Sequence, residues 1–191
     1  MYKEQIVKHI QDSVDAKQRL LENDALLAQI DTIASVLVKA YKSGHKAIWA
    51  GNGGSAADAQ HMAGELVSKF FLERPGLPSI ALNVNTSVLT AVGNDYCYDR
   101  VFAKQMEAFG QAGDVFIGIS TSGNSKNLLE AKKVCEEKGV VTVALVGEKP
   151  CKMDDWDYVL HLPSTVTPRI QECQTLVGHI LCYLVEQQLF G

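Results

Sequence analysis

Apolar residues recur at helical spacing twice before the first strand. In residues 2–21 they stand at Ile6, Ile10 and Val14, and in residues 24–43 at Leu26, Leu27, Ile30, Ile33 and Leu37. Spacings of three and four put each set on one helix face, so the pattern predicts two helices joined by a tight turn near Asn23. The period then changes. "HKAIWA" reads as a short buried strand, Gly51 to Gly54 turn the chain, and a helix follows through Leu66. "PSIALN" is a second strand, followed by a helical piece to about Val92 and a loop, "GNDYCYDRV". The alternation resumes with the strand "DVFIGIS", the turn "TSGNS" and the helix "KNLLEAKKVCEEKG", which Gly139 ends at its C′ position. "VVTVALVG" and "DYVLHLP" complete the strands, and a long helix over about 167–188 closes the chain.

Strands alternating with helices predict an α/β fold, a five-stranded parallel sheet covered by helices on both faces. Ligands of such sheets bind beyond the carboxyl ends of the strands, which directs attention to the loops after Ala50 and Ile119. With 191 residues, 47% of them hydrophobic, the chain suits one core. The expectation is a single domain over 1–191, with a helical hairpin (1–43) leading an α/β core (44–191).

Charge narrows the classes of ligand. The net charge is −4 and Lys and Arg are scattered, so nucleic acid is not expected as a partner. No apolar run approaches the length of a membrane span and the first residues form no signal-like core, so neither membrane association nor export is expected. The five cysteines make no C-x-x-C pair, and with an odd count they read as free thiols of a cytoplasmic protein. Cys173 and Cys182 fall on the apolar face of the last helix and read as buried small hydrophobes.

Gly51, Gly53 and Ala56 match a dinucleotide fingerprint, but the next strand ends at Asn83 where an acidic ribose ligand would stand. No phosphate loop with its lysine is present either, so no nucleotide cofactor is expected. The second loop, Ser120-Thr121-Ser122-Gly123-Asn124-Ser125, packs four hydroxyls into six residues at a helix N-terminus. Hydroxyls, backbone amides and the positive end of the helix suit a phosphate monoester, although the same residues also populate ordinary capped turns. Behind the first loop, Asp58, His61 and Glu65 share one helix face. Eight residues, just over two turns, return His179 to roughly the face of Gln171 on the last helix.

Four ordered blocks, "GNGGSAADAQHMAGEL", "GNDYCYDRVFAKQ", "GDVFIGISTSGNSKN" and "RIQECQTLVGHI", resemble the sugar isomerase (SIS) domain family, and within it the phosphoheptose isomerases. The resemblance spans nearly the whole chain. It implies a flavodoxin-like sheet assembled as a homotetramer with active sites shared between subunits at their interfaces. It implies that Ser55, Ser120, Thr121, Ser122 and Ser125 hold the phosphate, and that Asn52 and Gly53, with Asn94 and Asp95, meet the sugar. Lys69 stands where relatives often carry arginine, which keeps the charge and loses the bidentate fork. His61, Glu65, Gln171 and His179 fall on positions that bind zinc in some members, and Glu65 and His179 on the catalytic pair.

The expected activity is conversion of sedoheptulose 7-phosphate to an aldose through an enediolate, which needs a base beside the carbon and an acid near the oxygens. The expected role is heptose supply for lipopolysaccharide or capsule. Spacing leaves the sugar's length open. The alternative within the same family is a non-catalytic tetramer that binds the bacterial replication initiator; retention of Glu65 and His179 favours the enzyme.

Overall fold

The structure, a computed structural model, describes residues 2–191. Two helices lead, α1 (Lys3–Leu21) and α2 (Asp24–Lys42), and Asn23 between them caps α2 by accepting from the Leu26 amide at 3.0 Å. The strands are β1 (Ala47–Gly51), β2 (Ser79–Ala81), β3 (Val115–Ile119), β4 (Val141–Gly147) and β5 (Tyr158–Leu162). Between them run α3 (Gly54–Val67), α4 (Thr86–Asp95), α5 (Val101–Phe109) and α6 (Lys126–Lys138), and α7 (Thr167–Phe190) follows β5. Gly139 ends α6 in the left-handed conformation, as its place in the sequence requires.

The five strands pair in parallel in the order β2-β1-β3-β4-β5. The order reverses between β1 and β3, and the loops that follow these two strands therefore flank the crevice where such sheets take their ligands. Every residue of β1 and β3 is buried, as in a sheet covered on both sides. One face packs on α2, α3 and α7 through Ile33, Leu37, Trp49, Met62, Leu66 and Leu181. The other packs on α5 and α6 through Phe102, Met106, Phe116, Leu128 and Trp156.

Two features depart from the sequence reading. Residues 101–109, left there without an element, form α5, because Val101, Phe102, Ala103, Gln105 and Met106 are all buried. Apolar positions at i, i+1, i+2 and i+5 wrap around a short helix and leave no clean stripe to read. The second concerns α1, which is helical as expected but packs mainly through Ala16 and Leu20 near its end. Its apolar stripe, Ile6, Val7, Ile10 and Val14, is 51–60% exposed.

Candidate active site

The glycine turn leaves β1 at Gly51. Asn83, at the end of the next strand, donates through Nδ2 to the Gly51 carbonyl at 2.7 Å and accepts from its amide through Oδ1 at 3.3 Å. A side chain thus extends the β1–β2 pairing by one rung. That bond answers why an amide stands where a nucleotide site would place a carboxylate: it satisfies a donor and an acceptor together, which a carboxylate does not. Gly53 lies at φ 58°, ψ −121°, open only to glycine, and α3 begins at the next residue.

Asn52 is tied down within the chain. Its Nδ2 donates to Asn127 Oδ1 at 3.0 Å, Asn127 Nδ2 donates back to Asn52 Oδ1 at 2.9 Å, and the Tyr98 hydroxyl donates to the same oxygen at 3.1 Å. Asn127 lies buried in the first turn of α6, so this reciprocal amide pair fastens the first loop to the second. Sequence reasoning missed Asn127, since an asparagine in a helix next to "TSGNS" reads as part of the turn. Asn94 and Asp95 end α4 exposed and bonded to each other at 2.9 Å, three residues ahead of Tyr98.

The second loop is built around buried Ser120. Its hydroxyl accepts from the Gly123 amide at 3.1 Å and lies 3.0 Å from Ser125 Oγ. Ser122 Oγ accepts from the Asn124 amide at 3.2 Å. Ser125 sits at the N-cap of α6 without bonding a helix amide, which leaves the first amides of α6 pointing out of the end of the helix. Thr121, Ser122 and Asn124 line a cavity of about 280 Å³ shared with Lys149, Thr165 and Thr167 at the start of α7. Lys149 and the two threonines were not legible as site residues, because they lie in the loops after β4 and β5 and at the first residue of α7 and carry no motif. Ser55 is buried in the first turn of α3, and Lys69 makes an exposed pair with Glu73 at 2.7 Å.

From these loops α3 and α7 run side by side in the same direction. Gln171 lies over Gly54, with Nε2 2.5 Å from where a β-carbon on that glycine would stand. One turn on, Thr175 Oγ1 donates to Asp58 at 2.8 Å, and another turn brings Gly178 onto the Met62 side chain, which a β-carbon there would push aside. Burial raises the Asp58 carboxyl above its usual range, against the opposing pull of Thr175 and the two imidazoles.

His61 and His179 meet beyond that contact. Their Nε2 atoms are 3.4 Å apart with the rings edge to face, and His61 Nε2 is 3.0 Å from Glu65 Oε1. Ligand atoms of His61, Glu65 and His179 all lie within 4.8 Å of one another. Tetrahedral zinc with bonds of about 2.1 Å separates its ligands by roughly 3.4 Å, so the donor types and spacings fit the metal. Gln171 is the one expected ligand outside this cluster: it stands eight residues before His179, about 12 Å along the helix, and its side chain is turned toward Gly54.

A family model described as the SIS domain matches residues 9–147. A phosphoheptose isomerase 2 of Campylobacter jejuni is 52% identical over 184 residues, which cover 96% of this chain and 92% of that one. A phosphoheptose isomerase of Aneurinibacillus thermoaerophilus is 51% identical over 97% of this chain and 94% of its own. The chain belongs to the SIS domain family, in its phosphoheptose isomerase branch. The solved structure of a phosphoheptose isomerase from Neisseria gonorrhoeae superposes with a TM-score of 0.91 at 39% identity, over 98% of this chain and all of that one. The likeness includes the N-terminal helical pair, because it runs the length of both chains.

Proposed function

We propose that this protein isomerises sedoheptulose 7-phosphate to D-glycero-D-manno-heptose 7-phosphate, supplying heptose for surface polysaccharides such as lipopolysaccharide or capsule. The observation that carries the mechanism is the meeting of Glu65 and His179 across α3 and α7 with His61 between them. Glu65 turns one oxygen to His61, and among the described residues its other oxygen has no side-chain partner. That oxygen removes the proton from C1 of the ketose and returns it to C2. His179 carries the proton between the two substrate oxygens, a task that suits an imidazole because one ring nitrogen accepts while the other donates. His61, Glu65 and His179 would hold zinc, which when bound polarises the carbonyl.

The phosphate belongs at the second loop, where Ser120, Thr121, Ser122 and Ser125 stand at the amides of α6 with Ser55 beside the glycine turn. Asn52 and Gly53 shape the adjacent turn, with Asn94, Asp95 and Lys69 as the polar groups placed to meet the sugar. Chain 1–191 works in this reading as one domain, because Leu26, Ile30 and Ile33 of α2 share a core with the sheet.

Two spacings favour an active site completed by a second copy. Gln171 is turned toward Gly54 and stands about 12 Å along α7 from His179 of its own chain, which leaves a second copy as the source of a glutamine ligand for the cluster. Ser55 and Glu65 are ten residues apart on α3, about 15 Å along the axis. Phosphorus and C1 of the sugar are eight bonds apart, roughly 10 Å when extended. A tetramer with interfacial sites, the assembly implied by the family, meets both conditions, and the exposed stripe of α1 supplies an apolar face for it. The relatives reported above are named for the isomerase, which lends no support to the initiator-binding alternative. Among the described residues no helix is long and apolar enough to cross a membrane, and we place the protein in the cytoplasm.

Proton NMR of the protein with sedoheptulose 7-phosphate tests the reading. An aldose anomeric signal should grow in with zinc and should not appear when the protein is treated with chelator beforehand. Glu65→Gln should lower turnover by about 10²–10⁴-fold while the protein stays folded. Parent-rate turnover in that variant would remove Glu65 from the mechanism.

A further inference from the structure

Beyond the reacting groups, α3 and α7 are joined by one dense polar network. Glu186, seven residues past His179 on α7, is fully buried. Its Oε1 accepts from the Phe70 amide at 3.0 Å and from Arg74 Nε at 2.9 Å, and its Oε2 accepts from the amides of Phe71 and Leu72 at 2.7 and 2.9 Å. Arg74, also buried, turns its other nitrogens to the end of α3. Nη2 donates to the Glu65 carbonyl at 3.0 Å, and Nη1 to the carbonyls of Leu66 and Ser68 at 2.8 and 3.1 Å and to Pro75 at 3.1 Å.

The carbonyls of Glu65 and Leu66 lie in the last turn of α3, where a helix lacks partners of its own. Arg74 donates to both, the Leu66 carbonyl accepting from the Leu77 amide as well, and through Glu186 it bolts that turn to α7. The segment threaded between carries Phe70, whose ring lies 5.7 Å from the His179 ring.

Net stability does not explain such a network. A buried ion pair offsets its own desolvation only when every remaining donor and acceptor is filled, and apolar replacements often match it. What this pair supplies is position: its bonds converge on the backbone of Glu65 and on the helix that carries His179, about two turns away.

We propose that Arg74 and Glu186 are positioning residues for the isomerisation, holding Glu65 and Phe70 at a fixed place against His179. The proposal rests on the roles given to Glu65 and His179 above. A misplacement of about 1 Å at a reacting group can cost on the order of 10²-fold in rate, and loss of a group supporting a metal ligand typically costs 10–100-fold in affinity.

The test uses the full-length protein and the variants Glu186→Gln and Arg74→Lys. The control is Lys46→Met, which removes the bond from Lys46 Nζ to buried Asp114 (2.6 Å) before β1 and β3, at the opposite end of the sheet. Measured for each are kcat and KM on sedoheptulose 7-phosphate, zinc affinity by competition with a chromophoric chelator, and Tm without metal. Glu186→Gln should lower kcat by about 10²-fold with KM within about threefold, and weaken zinc binding at least tenfold. Arg74→Lys, which keeps the charge but loses the fork, should fall between it and the parent. Lys46→Met should lower Tm with kcat and zinc affinity unchanged.

The proposal is overturned if both clamp variants lower Tm like the control while kcat and zinc affinity hold at parent values. If the parent itself turns over no heptose phosphate, the assigned reaction fails, and the zinc measurement alone still decides whether the clamp positions the cluster. Should Glu186→Gln not fold, Arg74→Lys decides on the same readings.

Discussion

Asn127 shows how much a single side chain contributes to the site without carrying a motif. Its two bonds with Asn52 hold the glycine turn against the phosphate loop. In Asn127→Ala, Asn52 loses both bonds to Asn127 and keeps the one from Tyr98, so its Nδ2 is left unpaired in a partly buried place, a cost of about 1–3 kcal/mol. The expected outcome is a lower Tm and a KM raised several-fold with kcat less affected, measured by steady-state kinetics beside thermal unfolding. The cysteines were legible by contrast. Cys173 and Cys182 are buried as the apolar face of their helix required, and burial pushes the Cys182 thiol up to about 12. Glu65, His61 and His179 were placed by helical periodicity and family motif together. Gln171 shows where periodicity falls short, since a shared helix face says nothing of distance along the axis.

Among the elements, those with clear periods were read and the others were not. All five strands and the helices at either end of the chain were legible, because runs such as "VFIGI" and "VTVALVG" are almost wholly apolar and flanked by turns. α5 was not, because a short helix buried around most of its circumference has no polar face to set the period. In α1 the period was read correctly while its partner was not: the stripe Ile6, Val7, Ile10 and Val14 belongs to no core of its own chain. In the proposed assembly this stripe is the face that a second copy covers. Ile10→Glu should leave the fold and circular dichroism of the protein unchanged, yet yield a smaller species by light scattering and a loss of turnover in step with the loss of assembly.

For the whole molecule, the fold class and strand count followed from the alternation of elements, while assembly entered only by resemblance. No single chain's sequence writes out where a second copy sits. The distance between Gln171 and His179 along one helix has a genetic consequence. If the phosphate loop of one copy serves the acid–base pair of another, two defective alleles can rescue each other. Chains carrying Glu65→Gln and chains carrying Ser120→Ala with Ser122→Ala should each be inactive alone. Unfolded together and refolded as a mixture, they should regain a fraction of parental turnover, because some interfaces then join one intact half from each. Persistent inactivity of the mixture, with mixed assemblies confirmed by native mass spectrometry, would mean that each chain keeps its reaction to itself. In a cell making both alleles, recovery would appear as interallelic complementation, with a heptose-deficient surface restored by two genes that each fail on their own.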